Sequence, residues 1–400
     1  MRYQLTDFLV SLADPKNLAE YHNDPDAFME RAGLTPLQRE AVREGDLYRI
    51  RRLSSQEMLE DSLHAKLLMR IYNEHDPDFT YSSLKGNALV DDGPVDNHDH
   101  DIVQTHDLGD DIAEFSARYD TAHFYDHLFD TNWEAKKPNE LVFVGTGING
   151  ANHLSAEVLS HIANADKVLY CVADLAIERR IQELNKNSED LYVFYGDDKP
   201  RRKTYEEMVE RILACLRENR RVCGVFYGHP GIFVWPSFKA IQIARREGYR
   251  AYMLPAVSSL DCLFADVGFD PSRHSCQIVE ATDLLARTRA PDVGASVIIF
   301  QVGCVGDLGY NSRGYDRRNM PILQEYLASF YGDDYEVILY EAAQYPVCRP
   351  KVRRIPLRAL VDARPSGLTT MYIPPKTLPP ANHEMLVRMG LRLPHDPTRS

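Results

Sequence analysis

The sequence predicts an α/β protein in which two α/β domains, with a ligand cleft between them, follow a small all-helical domain. Three observations carry this prediction. The chain has 400 residues, which is too many for one hydrophobic core. Before residue 55, apolar residues recur at helical spacing. From Glu140 onward, short apolar runs alternate with amphipathic stretches, which is typical of a mostly parallel sheet covered by helices.

The predicted helical domain covers residues 1–54. Leu5, Phe8, Leu9 and Leu12 fall at helical spacing. Three capping side chains each precede a proline at a first helical position: Asp14, Asp24 and Thr35. A domain this small buries little surface, so we expect it to need a partner surface to be stable.

Residues 55–138 are predicted to be an acidic linker. Between positions 91 and 130 the chain holds twelve Asp or Glu, one Arg and five His. Charge-rich tracts between domains are usually solvated, and this interpretation needs no metal. The alternative is a metal site that uses His98, His100 and His106.

Two α/β domains are predicted next, at 139–252 and 253–376, and a tail follows at 377–400. Apolar runs such as ELVFVG and RVCGVFYG predict strands in the first domain, and ASVIIFQVG and YEVILYEA predict strands in the second. Ligands of such sheets bind at the carboxyl ends of strands, where Gly145 and Tyr227 fall. The cleft between the two domains is therefore the expected site.

Composition excludes several classes of protein. The net charge of −13 argues against general nucleic-acid binding, which needs clustered Lys and Arg. No apolar run approaches the roughly 18 residues of a membrane span. The first residues lack the pattern of a signal peptide, and the seven cysteines show no CxxC spacing. We therefore expect a soluble, cytoplasmic protein.

The stretch GTGING, residues 145–150, fits the dinucleotide fingerprint G-x-G-x-x-G after a predicted strand. Asp174, at the end of the next strand, lies 27 residues beyond Gly147 rather than about 20. An NAD-dependent oxidoreductase that uses this loop is therefore one open interpretation.

A second polar loop, DLYVFYGDDKPRRKTYEEM, carries Tyr195, Arg201 and Tyr205. An Arg beside a phenol favours the phenolate, which makes the Tyr a better base. Three further stretches put small or hydroxyl residues at the end of an apolar run, where a ligand can approach the backbone: MLPAVSSLDCLFAD, VIIFQVGCVGDLGY and GLTTMYIPPK.

Taken in order, GTGI, YGHPGIFV, PAVSSLDCLFAD, FQVGCVG and GLTTMYIPPK resemble the tetrapyrrole-methylase fold over residues 139–376. The chain is most similar to the borosin α-N-methyltransferases of that fold, which methylate peptide backbone amides with S-adenosylmethionine. Porphyrin-type members show Gly-Pro-Gly-Asp and Gly-Asp-Pro loops. Here Gly-Ile-Asn-Gly and Gly-His-Pro stand in their place, which argues against a porphyrin or corrin substrate.

The helical domain resembles the domain of borosin precursors that docks the substrate segment onto the enzyme. In fused borosins the methyltransferase comes first, whereas here the helical domain does. By the family's spacing, the internal substrate segment is about FTYSSLKGNALV, residues 79–90. A separate peptide modified in trans is the alternative, and the resemblance also implies an interlocked homodimer.

The resemblance implies a catalytic role for Tyr195, Arg201 and Tyr205. It implies cofactor contacts at a further set of positions: Tyr227, His229, Ile232, Ser259, Gln301, Ala342, Thr369 and Thr370. An amide nitrogen is a weak nucleophile because its lone pair is delocalised, so methylation requires loss of the N–H proton. Either Tyr195 or Tyr205 is the expected base, assisted by Arg201. A small-molecule methyltransferase remains an alternative function.

Overall fold

The computed structural model describes residues 3–59, 65–66, 129, 133–172, 174–197, 199–287, 289–307, 309–310, 315 and 317–391. The chain divides into two compact units, residues 1–258 and 259–400. The proposed substrate segment at 79–90 and the histidines of the metal alternative, His98, His100 and His106, lie outside the described residues.

The chain begins with short helices, as the capping pattern predicts. They are α1 (Gln4–Ser11), α2 (Pro15–Asn23), α3 (Pro25–Arg31), α4 (Pro36–Glu44) and α5 (Leu47–Met58). Asp14, Asp24 and Thr35 each accept a hydrogen bond from a backbone N–H of the helix that they precede. The prediction of an all-helical segment is confirmed.

A partly buried carboxylate connects three of these helices. Glu57, on α5, accepts hydrogen bonds from the backbone N–H groups of Leu5 at 2.8 Å and Thr6 at 3.0 Å. Its Oε1 also accepts a hydrogen bond from the Gln38 side chain of α4 at 2.8 Å. An acidic group at the start of α1 satisfies N–H groups that have no partner within the helix.

A five-stranded parallel sheet follows. Its strands are β1 (Glu140–Gly145), β2 (Lys167–Cys171), β3 (Ser188–Asp190), β4 (Arg221–Phe226) and β5 (Arg250–Met253), in the order β3-β2-β4-β1-β5. The intervening helices are α6 (Gly150–His153), α7 (Ala156–Asn164), α8 (Leu175–Leu184), α9 (Arg201–Glu218) and α10 (Trp235–Arg246).

The helices cover both faces of this sheet. Val142 and Val144 of β1 pack with α7 and α8, whereas Leu141 and Phe143 pack with α9 and α10. Successive side chains along β1 point to opposite faces of the sheet. The right-handed crossovers from β1 to β2 and from β2 to β3 run in one direction along the sheet, whereas those from β3 to β4 and from β4 to β5 run in the other, so their helices cover opposite faces. The loops after β1 and β4, which are neighbouring strands, therefore leave the same edge towards opposite faces.

The helical segment rests on the first sheet's own helix α8, which supplies the partner surface that we expected. Helices α1 and α5 contact α8. Met58 packs with Leu175. Nε of Arg179 lies 3.8 Å from Oδ1 of Asp7, and Cζ of Arg179 lies 5.9 Å from the centroid of the Tyr3 ring. The helical segment and the parallel sheet therefore form one compact unit.

The second unit contains a mixed sheet. Its strands are β6 (Cys276–Glu280), β7 (Ser296–Phe300), β8 (Glu336–Glu341), β9 (Lys351–Pro356) and β10 (Thr370–Ile373), in the order β6-β7-β10-β8-β9. Strands β6 and β7 are parallel, and the other pairs are antiparallel. Its helices are α11 (Ser259–Leu263), which continues as a π-helical turn at Phe264–Gly268, α12 (Ala281–Ala286), α13 (Met320–Tyr331) and α14 (His383–Arg388).

In the part of the chain that the structure describes, no helix is both long enough and apolar enough to cross a membrane.

Candidate functional site

The loops after β1 and β4 are joined to each other. The N–H of Gly147 donates to the carbonyl of Gly228, and the N–H of Gly228 donates to the carbonyl of Gly147, each at 3.2 Å. Both glycines have positive φ, of 68° and 66°, which favours glycine. The strand-end positions predicted for Gly145 and Tyr227 are confirmed.

Gly145 leaves no room for a side chain. A Cβ atom on this residue would lie 2.1 Å from the Gly228 carbonyl oxygen and 2.6 Å from the Ala256 Cβ. The two loops approach this closely only because Gly145 has no side chain. The glycine at this strand end therefore sets the distance between the two backbones.

In the GTGING loop, the backbone N–H groups of Gly147, Ile148 and Asn149 already donate hydrogen bonds to other parts of the protein. The N–H of Gly147 is held by Gly228, and the N–H groups of Ile148 and Asn149 both donate to Nδ1 of His153, at 3.2 and 3.1 Å. A dinucleotide cradle uses such N–H groups to bind phosphate. Asp174, buried, accepts from the N–H of Ile177 at 3.0 Å and caps α8. The geometry therefore gives no support to the NAD interpretation.

The loop after β4, YGHPGIFV, carries three of the predicted cofactor contacts. The N–H of Tyr227 donates to the Cys171 carbonyl at 3.2 Å, and the N–H of Ile232 donates to the His229 carbonyl at 3.3 Å. Nδ1 of His229 accepts from the N–H of Gly231 at 2.9 Å. A neutral imidazole that accepts through Nδ1 carries its proton on Nε2, so His229 is a donor on that side.

Tyr195, Arg201 and Tyr205 are brought together at the start of α9. Tyr195 follows a 3-10 turn at Leu191–Phe194, and Arg201 and Tyr205 lie four residues apart on one face of α9. Tyr195 forms a side-chain hydrogen bond with Tyr205. The Tyr205 ring stacks on Trp235, the first residue of α10, with centroids 6.4 Å apart.

Both phenols are half-buried and resist ionisation. Burial raises the pKa of Tyr195 well above its ordinary value of 10.0, and the Arg201 guanidinium only partly opposes this rise. Burial also raises the pKa of Tyr205, against which Arg201 and the hydrogen bond from Tyr195 both act. The sequence led us to expect Arg201 to lower a phenol pKa, and it does so, but burial is the larger effect.

Lys199 and Thr204 hold the loop that carries Tyr195 through hydrogen bonds to its backbone. The carbonyl of Phe194 accepts hydrogen bonds from Nζ of Lys199 at 2.7 Å and from Oγ1 of Thr204 at 3.3 Å. Lys199 also forms an ion pair with Glu207 on α9. These contacts fix the backbone next to Tyr195 against the first two turns of α9.

Four of the remaining predicted contacts share one edge of the mixed sheet. Gln301 follows β7, Ala342 follows β8, and Thr369 and Thr370 stand at the start of β10. Because β10 is antiparallel to both neighbours, its start lies beside their ends. Gln301 has φ 57°, a left-handed conformation that is uncommon outside glycine and often found at binding sites. Ser259 begins α11, which packs on this sheet through Leu263.

A carboxylate organises this edge. Oε1 of Glu341 accepts hydrogen bonds from Oγ1 of Thr369 at 2.7 Å and from Oγ of Ser366 at 2.6 Å. Oγ1 of Thr369 in turn accepts from the N–H of Ser366 at 2.9 Å. The Thr369 hydroxyl has one proton, which it gives to Glu341, so it has no donor left for a ligand.

Sequence reasoning missed four residues that shape these edges: His153, Lys199, Trp235 and Glu341. A His three residues beyond the GTGING loop and a Trp at a first helical turn were visible in the sequence, but their partners were not. Among the described residues, no group of three or more His, Cys, Asp or Glu side chains could hold a metal ion.

Comparison with known proteins identifies similar chains. The family model of the Tetrapyrrole (Corrin/Porphyrin) Methylases matches residues 140–360. A second model, of the LigA subunit of the aromatic-ring-opening dioxygenase LigAB, matches residues 5–55 in the helical segment.

Three curated relatives are each identical to this chain at about two fifths of the aligned positions. A methyltransferase/ribosomally synthesized type III borosin cyclic peptide precursor from Anomoporia bombycina is 45% identical over 259 residues, which cover 64% of this chain and 30% of the relative. The methyltransferase/cyclic peptide dendrothelin A precursor of Dendrothele bispora is 44% identical over 62% of this chain and 61% of its own length. A type I borosin precursor from Coprinopsis marcescibilis is 39% identical over 65% of this chain and 69% of its length. The chain thus spans less than two thirds of the first two relatives.

Proposed function

The chain belongs to the borosin branch of the tetrapyrrole methylase family, and on that premise we propose that it uses S-adenosylmethionine to methylate backbone amide nitrogens of a peptide. The observation that carries the proposal is the cluster of Tyr195, Arg201 and Tyr205 at the carboxyl edge of the parallel sheet. The curated relatives named above are methyltransferases joined to cyclic peptide precursors.

The residues proposed for the cofactor suit its chemistry. S-adenosylmethionine offers amino and hydroxyl donors, a carboxylate and an apolar adenine face. Tyr227 and His229 can contact the adenine and donate to acceptors, and Gln301 offers an amide in a left-handed turn. When bound, the cofactor supplies an electrophilic methyl group to the amide nitrogen.

We assign the base to Tyr205. Its pKa is raised less than that of Tyr195, because Arg201 and the hydrogen bond from Tyr195 both stabilise its phenolate. Its ring is fixed by stacking on Trp235. Once Tyr205 has lost its own proton to solvent, its phenolate takes the proton from the amide nitrogen, and Arg201 stabilises the negative charge that develops on the amide oxygen. Tyr195 holds the Tyr205 oxygen in place.

The substrate that we favour is the chain's own segment between the helical domain and the parallel sheet, which includes residues 79–90. Met58 packs beside Leu175, four residues beyond the end of β2. Phe129 stacks on Phe238 of α10, with centroids 5.5 Å apart, and α10 starts directly after the YGHPGIFV loop. The described residues on either side of the segment thus lie near the edge that carries the catalytic cluster. The proposal includes a homodimer in which the segment of one chain can reach the site of either copy.

The test is mass spectrometry of the full chain after incubation with S-adenosylmethionine, for the wild type and for Arg201→Ala, Tyr205→Phe and Tyr195→Phe. We expect methylene-sized increments on backbone nitrogens between positions 60 and 128 in the wild type. Tyr205→Phe should slow their appearance by a factor of about 100 to 10,000, the range for loss of a general base, and Tyr195→Phe should slow it less. Cofactor affinity, measured by calorimetry, should change little in each variant.

Other outcomes separate the alternatives. Cofactor binding without increments indicates a peptide in trans or a small-molecule acceptor, which added peptides and candidate acceptors then distinguish. Absence of cofactor binding by the wild type excludes the methyltransferase proposal. Unchanged turnover in Arg201→Ala excludes the assigned cluster.

A further inference from the structure

Asn149, in the GTGING loop, has a buried amide oxygen with no hydrogen-bond partner among the residues that the structure describes. A buried polar atom without a partner is uncommon and unfavourable, and it calls for an explanation such as a missing ligand. Asn149 lies two residues beyond Gly147, which is bonded to the loop of Tyr227 and His229. The oxygen therefore lies in a loop joined to one that carries proposed cofactor contacts.

The local backbone does not need this oxygen. An Asn immediately before a helical turn normally accepts a hydrogen bond from an N–H two or three residues on. Asn149 precedes α6 in that way but makes no such bond. His153 takes over the local role, because its Nδ1 accepts from the N–H groups of Ile148 and Asn149. The histidine thus shapes the loop, and in the described part of the chain the Asn149 side-chain oxygen has no partner.

We propose that the Asn149 side-chain oxygen accepts a hydrogen bond from an amino group of bound S-adenosylmethionine, with His153 as the residue that positions the loop. This inference rests on the proposed function. It adds a cofactor contact from the first strand's loop to those expected from the second strand's loop. The bond formed on binding satisfies an acceptor that the ligand-free protein leaves unsatisfied.

The experiment compares three variants of the full chain with the wild type. Asn149→Ala removes the oxygen, and Asn149→Asp keeps an acceptor at the same position. Asn152→Ala is the matched control, because Asn152 is an exposed Asn in the same helical turn. Calorimetric titration with S-adenosylhomocysteine, which has the same amino groups and cannot transfer a methyl group, gives the affinities. Thermal unfolding of the ligand-free proteins reports on the fold.

We expect Asn149→Ala to bind S-adenosylhomocysteine about fivefold to tenfold more weakly, the equivalent of one hydrogen bond. Asn149→Asp should recover most of the affinity, and Asn152→Ala should bind like the wild type. The unfolding midpoint of ligand-free Asn149→Ala should equal or exceed that of the wild type, because no protein hydrogen bond is lost. A structural role for Asn149 predicts the opposite, a lower midpoint.

Three results overturn the inference. One is unchanged affinity in Asn149→Ala with normal binding by the wild type, which leaves the proposed function intact. Another is unchanged affinity with slower methylation at saturating S-adenosylmethionine, which would assign the oxygen to an N–H of the peptide instead. The third is absence of binding by the wild type itself, which removes the proposed function as well.

Discussion

The two sheets present their proposed site residues in different ways. In the parallel sheet, every strand ends at the same edge, and the loops after β1 and β4 are bonded to each other through Gly147 and Gly228. In the mixed sheet, the edge combines the ends of β7 and β8 with the start of β10. At the first edge, the site residues all follow the ends of strands, because the strands are parallel. At the second edge, residues that follow β7 and β8 lie beside residues that begin β10, because β10 runs in the opposite direction.

The two edges are also held by different contacts. The first relies on close backbone approach and on aromatic packing, with Tyr205 stacked on Trp235. The second relies on Glu341, which collects the hydroxyl groups of Ser366 and Thr369. At each edge, a backbone carbonyl occupies the space that the side chain of a glycine would need. The glycine is Gly145, beside the Gly228 carbonyl, at the first edge and Gly303, beside the Ser366 carbonyl, at the second. Sequence motifs flagged both glycines, but they could not tell which contacts surround them.

The largest expected effect comes from filling those two spaces. In Gly145→Ala the new Cβ would lie 2.1 Å from the Gly228 carbonyl oxygen, and in Gly303→Ala it would lie 2.2 Å from the Ser366 carbonyl oxygen. Backbone must move in both, so we expect each protein to lose about 3 kcal/mol or more of unfolding free energy. Both should lose detectable binding of S-adenosylhomocysteine in calorimetry.

Gly196→Ala is the control for this pair, because no atom lies within 4 Å of the position of its Cβ. Its unfolding midpoint should match that of the wild type. If Gly303→Ala bound the cofactor normally while Gly145→Ala did not, only the first edge would contribute to cofactor binding, and the proposed roles of Thr369 and Thr370 would be wrong.

The sequence predicted four of the five strands of the parallel sheet, because those four are largely apolar. It missed β3, whose residues SED are polar and only partly buried. It missed β9 because KVRRIP carries three charged residues on an edge strand that is mostly exposed. It also missed α8, where LAIERRIQEL mixes charge with apolar residues. The apolar residues of α8 face two partners, the sheet and the helical segment.

The site was predictable only in part. Resemblance supplied the positions of the catalytic cluster and the cofactor contacts, and the edge geometry is compatible with them. Contacts between distant positions could not be read from one sequence. The bond from Thr369 to Glu341 spans 28 residues, and the match between Tyr205 and Trp235 spans 30. Burial of the phenols, which outweighs the effect of Arg201 on their pKa, also depends on the folded surroundings.

A smaller effect is expected at the loop that carries Tyr195, and it should be confined to the first edge. Lys199→Met removes the hydrogen bond to the Phe194 carbonyl and the ion pair with Glu207. Losing a charge-assisted hydrogen bond next to Tyr195 should slow methylation about tenfold at saturating S-adenosylmethionine, with unchanged affinity for S-adenosylhomocysteine. Lys199→Arg can still donate and should recover part of the rate.

Lys203→Met is the matched control for this prediction, since Lys203 is exposed on the first turns of the same helix. It should methylate at the wild-type rate. Equal slowing in both lysine variants, or a loss of cofactor affinity in Lys199→Met, would show that charge or fold, rather than the position of Tyr195, explains the result.

The smallest effect concerns the attachment of α9 to the parallel sheet, and it depends on pH. Glu189 of β3 accepts two hydrogen bonds from Arg211 of α9, each at 2.6 Å, and its Oε2 lies 2.9 Å from Nζ of Lys167. The bonds from Arg211 are the largest cause that lowers the pKa of Glu189 from 4.5 to about 2, and Lys167 also lowers it. A lowered pKa in the folded state means that the pair stabilises the fold above pH 4.5 and that this contribution disappears as the pH falls towards about 2.

Because both side chains are partly exposed, Glu189→Gln should reduce the unfolding free energy at neutral pH by less than about 1 kcal/mol. Denaturant titrations at several pH values should show this difference shrinking below pH 4.5. Glu206→Gln, which breaks the exposed pair with Arg202 on the same helix, should change stability little at any pH. A difference for Glu189→Gln that persists unchanged into acid would mean that the side chain contributes through packing rather than through its charge.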